Sequence, residues 1–150
     1  MSGMSFNTIN LWSAAGILLL LLPNIWYAVR GKGPDLSSGS RAVNALEQVG
    51  RYGSMLLAVV PLGVGEFGFR SAGAFLLWLA LTAGLLSAYY ICWFLYARRA
   101  SPALTLALAA LPSALFLVHG LLLRHPALCV FAGIFAASHI YIACQSAGKR

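Results

Sequence analysis

The run AFLLWLALTAGLLSAYYICWFLYA, residues 74–97, contains no Asp, Glu, Lys, Arg or His and is stopped by Arg98-Arg99. A helix needs about 20 mainly apolar residues to cross the hydrocarbon core of a bilayer. This stretch therefore reads as a membrane span, the longest in the chain. Four more apolar stretches accompany it, at about 9–29, 53–69, 102–123 and 126–145. Together they predict an all-α fold: a polytopic transmembrane helix bundle of five spans in a single integral membrane domain, residues 1–150.

Composition agrees. The chain is 61% hydrophobic and 9% charged, with mean hydropathy +0.84, where a soluble domain carries roughly a quarter charged residues. The net charge of +7 does not point to nucleic acid, because no basic patch is interleaved with exposed aromatics. The basic residues instead cluster at the ends of apolar runs, as topology signals do. Cys92, Cys129 and Cys144 lie in apolar spans with no C-x-x-C spacing. They read as small buried hydrophobes, not as a disulfide framework or a zinc site. The first ten residues hold no Lys or Arg, and no small-x-small site follows Leu18–Leu22. The first apolar stretch is thus expected to be a permanent span and not a secretory signal.

Between the first two spans lies a polar Gly/Ser/Pro loop, in which Ser38 or Ser40 is expected to cap the next helix. From about Arg41 an amphipathic helix, residues 41–52, leads into span 2. Asn44, Glu47, Gln48, Arg51 and Met55 recur on one of its faces at helical spacing. Span 2 contains Pro61, Gly63, Gly65 and Gly68 around Glu66, and is expected to kink, unwind or turn back. Pro23 and Pro112 interrupt spans 1 and 4 and are expected to act as hinges and to release carbonyls.

Charge bias sets the orientation. With five spans, one side carries Arg30, Lys32, Arg41, Arg51, Arg98, Arg99, Lys149 and Arg150, and the other only Arg70 and Arg124. Eight against two places the N-terminus outside and the C-terminus inside, in a bacterial inner membrane. Without a crossing at span 2 the split would be six against four, a weaker bias.

Ionisable groups at membrane depth are costly and point to function. At about 1.5 Å per helical residue, Asn24 lies about 20 Å below the outer end of span 1, Tyr89 and Tyr90 about 22–24 Å down span 3, and His139 about 20 Å down span 5. Arg51 enters span 2 at the matching inner level, with Glu47 a turn lower. Asn24, Glu47, Arg51, Tyr90 and His139 thus form one expected layer, a polar ligand-binding pocket open to the cytoplasm. Arg51 would meet an anionic or carbonyl group, Glu47 would neutralise or orient it, and His139 would donate, accept or carry a proton. The plainer alternative is an i,i+4 ion pair at the interface, with Arg51 snorkelling to headgroups. An outer group comprises Glu66, Arg70 and His119, beside Arg124 and His125. Its functional reading is a gate or outer site; its plain reading is an interfacial ion pair and a solvated turn.

The two histidines of spans 4 and 5 differ in depth by about 15 Å or more, so neither a metal site nor a haem is expected, and no cofactor is called for. No P-loop, dinucleotide fingerprint or H-E-x-x-H occurs. Gly and Ala in spans 3 to 5 allow close helix approach or homo-oligomerisation.

The string Asn44-Ala-Leu-Glu-Gln-Val-Gly-Arg-Tyr-Gly-Ser-Met55, with Pro23-Asn24-Ile-Trp-Tyr27, Tyr90-Ile-Cys-Trp93, Leu111-Pro-Ser113 and Ser138-His-Ile-Tyr141, resembles a family of small bacterial integral membrane proteins with no assigned activity. The resemblance covers most of the chain and carries over no functional residues. The expected partners are membrane lipids and a small polar or amphiphilic ligand, bound or translocated through the inner pocket. Two alternatives stand beside this. One is a membrane-embedded enzyme acting on a lipid-linked substrate, with His139 or Glu66 as acid or base. The other is a structural or accessory subunit of a membrane complex.

Overall fold

A computed structural model describes residues 4–5, 9–60, 62 and 68–149. These residues form five helices: α1 (Leu11–Val29), α2 (Arg41–Val59), α3 (Ala72–Arg98), α4 (Pro102–Leu122) and α5 (Pro126–Gly148). A two-residue antiparallel bridge joins β1 (Met4–Ser5) to β2 (Gly68–Phe69), pairing Met4 with Phe69. The chain is all-α apart from that bridge.

Each helix begins on a side chain that accepts an otherwise orphaned N–H. Asn10, Ser40, Ser71 and Ser101 cap α1 to α4, and His125 Nδ1 accepts from Leu128 N at 3.3 Å to cap α5. Of the two candidate caps for α2, Ser40 serves. Ser38 is engaged elsewhere: its N–H donates to Asn44 Oδ1 at 2.8 Å, and its carbonyl accepts from Asn44 Nδ2 at 2.8 Å. Its hydroxyl donates to Gln145 Oε1 at 3.2 Å. These bonds fasten the α1–α2 loop to the far end of α5.

Pro102 and Pro126 sit in first turns, where a missing N–H costs nothing. Pro23 and Pro112 lie inside α1 and α4, which run on through them. A proline removes the bond to the carbonyl four residues earlier. For Pro23 that carbonyl belongs to Leu19, and the Tyr90 hydroxyl donates to it at 2.7 Å. The break is thus satisfied from a neighbouring helix, as membrane-depth backbone requires.

Four helices, α1, α3, α4 and α5, are long and apolar enough to cross a membrane. Much of their apolar surface faces outward: Leu18, Leu22, Ile25, Leu76 and Ile91 are all exposed. So wide an apolar exterior suits a lipid surround, not water. At one end of the bundle Arg30 lies 4.1 Å from the Trp26 ring and Arg98 4.2 Å from the Phe94 ring. The helix limits match spans 1, 3, 4 and 5 to within about three residues.

α2 is the less apolar fifth helix. It ends at Val59, short of the expected limit near residue 69; Pro61, Gly63, Gly65 and Glu66 lie outside the described residues. Asn10 N donates to Val59 O at 2.8 Å, so the end of α2 meets the start of α1. α2 therefore runs back beside α1, both helices being 19 residues long.

α5 packs between α2 and α4, α4 packs on α3, and α1 closes the ring against α2 and α3. The α2–α5 seam depends on Gly50. A Cβ there would stand 2.6 Å from Phe135 N and 2.8 Å from Phe135 Cα, so the two backbones approach as only glycine permits. That approach brings the charged face of α2 against α5.

Candidate functional site

Glu47 is buried on α2, and one of its carboxylate oxygens, Oε1, holds two groups. Arg51, one turn further along α2, donates through Nη2. His139 of α5 places Nδ1 at 3.0 Å from the same oxygen. The two lie within ion-pair distance, although Nδ1 completes no hydrogen bond there. The His139 ring stacks on Phe135, with centroids 4.7 Å apart, and the Arg51 guanidinium lies 5.9 Å from the Phe135 ring. Phe135 thereby sets the direction of both cationic or donor groups. His139 is buried, while the Arg51 side chain keeps 32% of its surface exposed.

Across the bundle, Asn24 of α1 accepts from the Tyr89 hydroxyl at 2.8 Å and donates from Nδ2 to Leu20 O at 3.2 Å. Tyr89 meets Trp93 edge-on, and Trp93 stacks flat on Tyr27 at 4.8 Å.

These two polar groups face one cavity of about 240 Å³. Arg51, His139, Asn24 and Tyr89 all line it, so the cavity is bounded by α1, α2, α3 and α5. α4 completes the wall with Leu108, Pro112 and Phe116. Gly33, Pro34 and Leu36 of the α1–α2 loop line it at the end of the bundle where that loop lies. Glu47 stands behind Arg51 and His139 and is not itself at the wall. The face presented to a ligand is therefore rich in donors: a guanidinium has five N–H groups, and Glu47 does not use them all. Acceptors are fewer: the oxygens of Asn24 and Tyr89, and one ring nitrogen of His139 when the imidazole is neutral.

The layer expected from helical depth thus includes four residues at or directly behind one cavity: Asn24, Glu47, Arg51 and His139. Tyr90 is different. It points outward, 39% exposed, and its hydroxyl serves the Leu19 carbonyl freed by Pro23. Tyr89 takes the inward position. Adjacent helical residues share a depth but differ by about 100° around the axis, and the sequence carried no signal to choose between two tyrosines.

The outer group is described only in part. Glu66 lies outside the described residues, Arg70 is exposed, and Arg124 donates to Gly68 O at 3.4 Å. His119 is fully buried on α4, with Nδ1 2.8 Å from Leu115 O and its ring edge-on to Trp78. Among the described residues no group of His, Cys, Asp and Glu has the makings of a metal site. No protein-family model, curated protein or solved structure matches this chain.

Proposed function

We propose that this chain is a five-span protein of the bacterial inner membrane, N-terminus outside and C-terminus inside. Its inner cavity binds a small amphiphilic molecule through an anionic or strongly accepting head. The crossing by α2 is supported by its antiparallel run beside α1, from a loop tied to the end of α5 up to Asn10. The orientation is supported by the eight-against-two division of basic residues.

The observation that carries the ligand reading is the shared carboxylate oxygen of Glu47. It fixes Arg51 and His139 side by side at the wall of a cavity, instead of releasing Arg51 to headgroups. Glu47 offsets the desolvation of the pair, and the remaining guanidinium N–H groups point to an acceptor. Apolar walls from Leu20, Leu21, Met55, Phe116 and Phe135 suit the rest of the ligand. At about 240 Å³ the cavity falls below the roughly 300–1,000 Å³ of drug-sized sites. It suits a small molecule or a single headgroup, not a diacyl lipid.

The test is thermal unfolding of the purified protein across a panel of small carboxylates, phosphates and sulfonates with short apolar tails. A stabilising member is expected in the native chain. Arg51→Ala is expected to abolish that shift, and His139→Ala to reduce it at least several-fold. If the shift is the same in all three proteins, the cavity is not the binding site.

A further inference from the structure

A second set of polar groups is buried towards the other end of the bundle, Thr82 standing seven residues, about 10 Å, before Tyr89 on α3. Thr82 and Trp78 lie on the inward face of α3, His119 on α4 and Ser54 on α2, each at most 5% exposed. Thr82 Oγ1, Trp78 Nε1, His119 Nε2 and Ser54 Oγ have no hydrogen-bond partner. Trp78, Thr82 and His119 meet at one place, and Ser54 lies at a similar depth on α2. A Cβ on Gly16 of α1 would lie 3.6 Å from Thr82 Cγ2 and 3.9 Å from His119 Nε2. The rings of Trp78 and His119 are 5.1 Å apart. Ser54 is five residues before Val59 and Gly16 six after Asn10. Because Asn10 is bonded to Val59, both lie about 8–9 Å from the same end.

Other buried helical hydroxyls in this chain behave differently. Thr105, Ser113 and Ser138 donate to the carbonyl four residues back, at 3.1, 2.8 and 2.7 Å. That is the usual recourse of Ser and Thr in a helix. Ser54 and Thr82 leave it unused, although an unpaired hydroxyl in a dry interior is costly. The chemistry of the four groups is also mixed. The Leu115 carbonyl accepts from His119 Nδ1, so the neutral ring turns a lone pair outward at Nε2. Trp78 can only donate, and the two hydroxyls do either. No charged side chain belongs to the set.

We infer that these groups form a second binding site, which takes a neutral molecule of the size of water, able to donate to His119 and accept from Trp78. Leu20 and Phe116, which line the inner cavity, and Leu86 are buried apolar residues about one turn from Gly16, His119 and Thr82 respectively. The bundle then holds two polar stations in file, one selecting an accepting head and one hydrated. This inference rests on the orphaned groups alone and stands whether or not the inner cavity binds an amphiphile.

The experiment is water-edited solid-state NMR of the full chain in phospholipid vesicles, with histidine labelled, alongside thermal unfolding of Thr82→Val. Val keeps the shape of Thr and removes only the hydroxyl. Rapid magnetisation transfer from water to the His119 ring is expected. In Thr82→Val the transfer is expected to fall several-fold and the unfolding midpoint to drop by several degrees. No transfer to His119 in the native chain overturns the inference. So does a raised midpoint in Thr82→Val, the result expected where a bare buried hydroxyl is exchanged for a methyl group.

Discussion

In the proposed orientation the inner and outer halves of this bundle both bury polar side chains, and they satisfy them in different ways. In the inner half the charged groups gather on one another, although Trp93 Nε1 and His139 Nδ1 at the cavity make no hydrogen bond. One carboxylate oxygen serves Arg51 and His139, and Asn24 pairs with Tyr89 across the cavity. In the outer half four neutral groups at about one level have no hydrogen-bond partner. The difference follows from charge. An ionised side chain at depth must be neutralised within the protein, so Arg51 needs Glu47. Neutral donors and acceptors are cheaper to leave for a guest molecule.

The most damaging way to break the inner network is to remove its shared acceptor. Glu47→Ala leaves His139 buried without its partner and Arg51 unneutralised. A loss of about 3 kcal/mol is expected, at the low end for a broken buried pair because Arg51 can reach solvent. Glu47→Gln, which keeps an accepting oxygen, should recover part of it. Thermal and denaturant unfolding in detergent would measure both; an unchanged midpoint in Glu47→Ala would mean that the pair contributes nothing. Gly50→Ala comes next, at about 2 kcal/mol, because the added Cβ meets the Phe135 backbone and forces α2 and α5 apart. It should also weaken ligand binding, since Glu47 and His139 lie on the two helices it separates.

The tyrosine pair sharpens the comparison further. Tyr90→Phe frees the Leu19 carbonyl and should cost about 1 kcal/mol while leaving ligand affinity unchanged. Tyr89→Phe should cost a similar amount and lower affinity, because its hydroxyl belongs to the cavity wall. Titration calorimetry with a stabilising ligand separates the two; equal effects on affinity would contradict the assignment of Tyr89 alone.

The smallest effect is expected at the turn between α4 and α5. Burial holds the His125 imidazole below its ordinary value of 6.5, and the neutral ring accepts from Leu128 N. The folded value is the lower one, so the unfolded chain binds the proton more readily. The stabilisation is therefore complete above about pH 6.5 and fades as pH falls towards the folded value. About 1 kcal/mol is expected, the size of a cap. His125→Asn keeps a capping oxygen and should flatten that part of the pH–stability curve.

Helix limits were legible because charges and caps punctuate the apolar runs: Arg98-Arg99 ends α3, and Ser101-Pro102 opens α4. Depth was legible too, since 1.5 Å per residue is enough to bring Asn24, Arg51 and His139 to one level. Direction around each helix was not. Long apolar helices in lipid carry hydrophobic residues on every face, so no amphipathic stripe tells inside from outside. That is why Tyr89 and Tyr90 could not be separated, and why the burial of His119, which does lie in the last turn of α4, was not legible. The Gly50 seam was equally hidden, because the partner of a close approach is a property of packing.

The claim most exposed to test is that the inner cavity opens to the cytoplasmic side. Met55 lines it. In a background with Cys92, Cys129 and Cys144 replaced by Ala, Met55→Cys would be challenged with a membrane-impermeant maleimide in inside-out and right-side-out vesicles. Labelling in inside-out vesicles, slowed by a stabilising ligand, is the result expected. Labelling confined to right-side-out vesicles, or absent from both, would contradict a cavity reached from the cytoplasm.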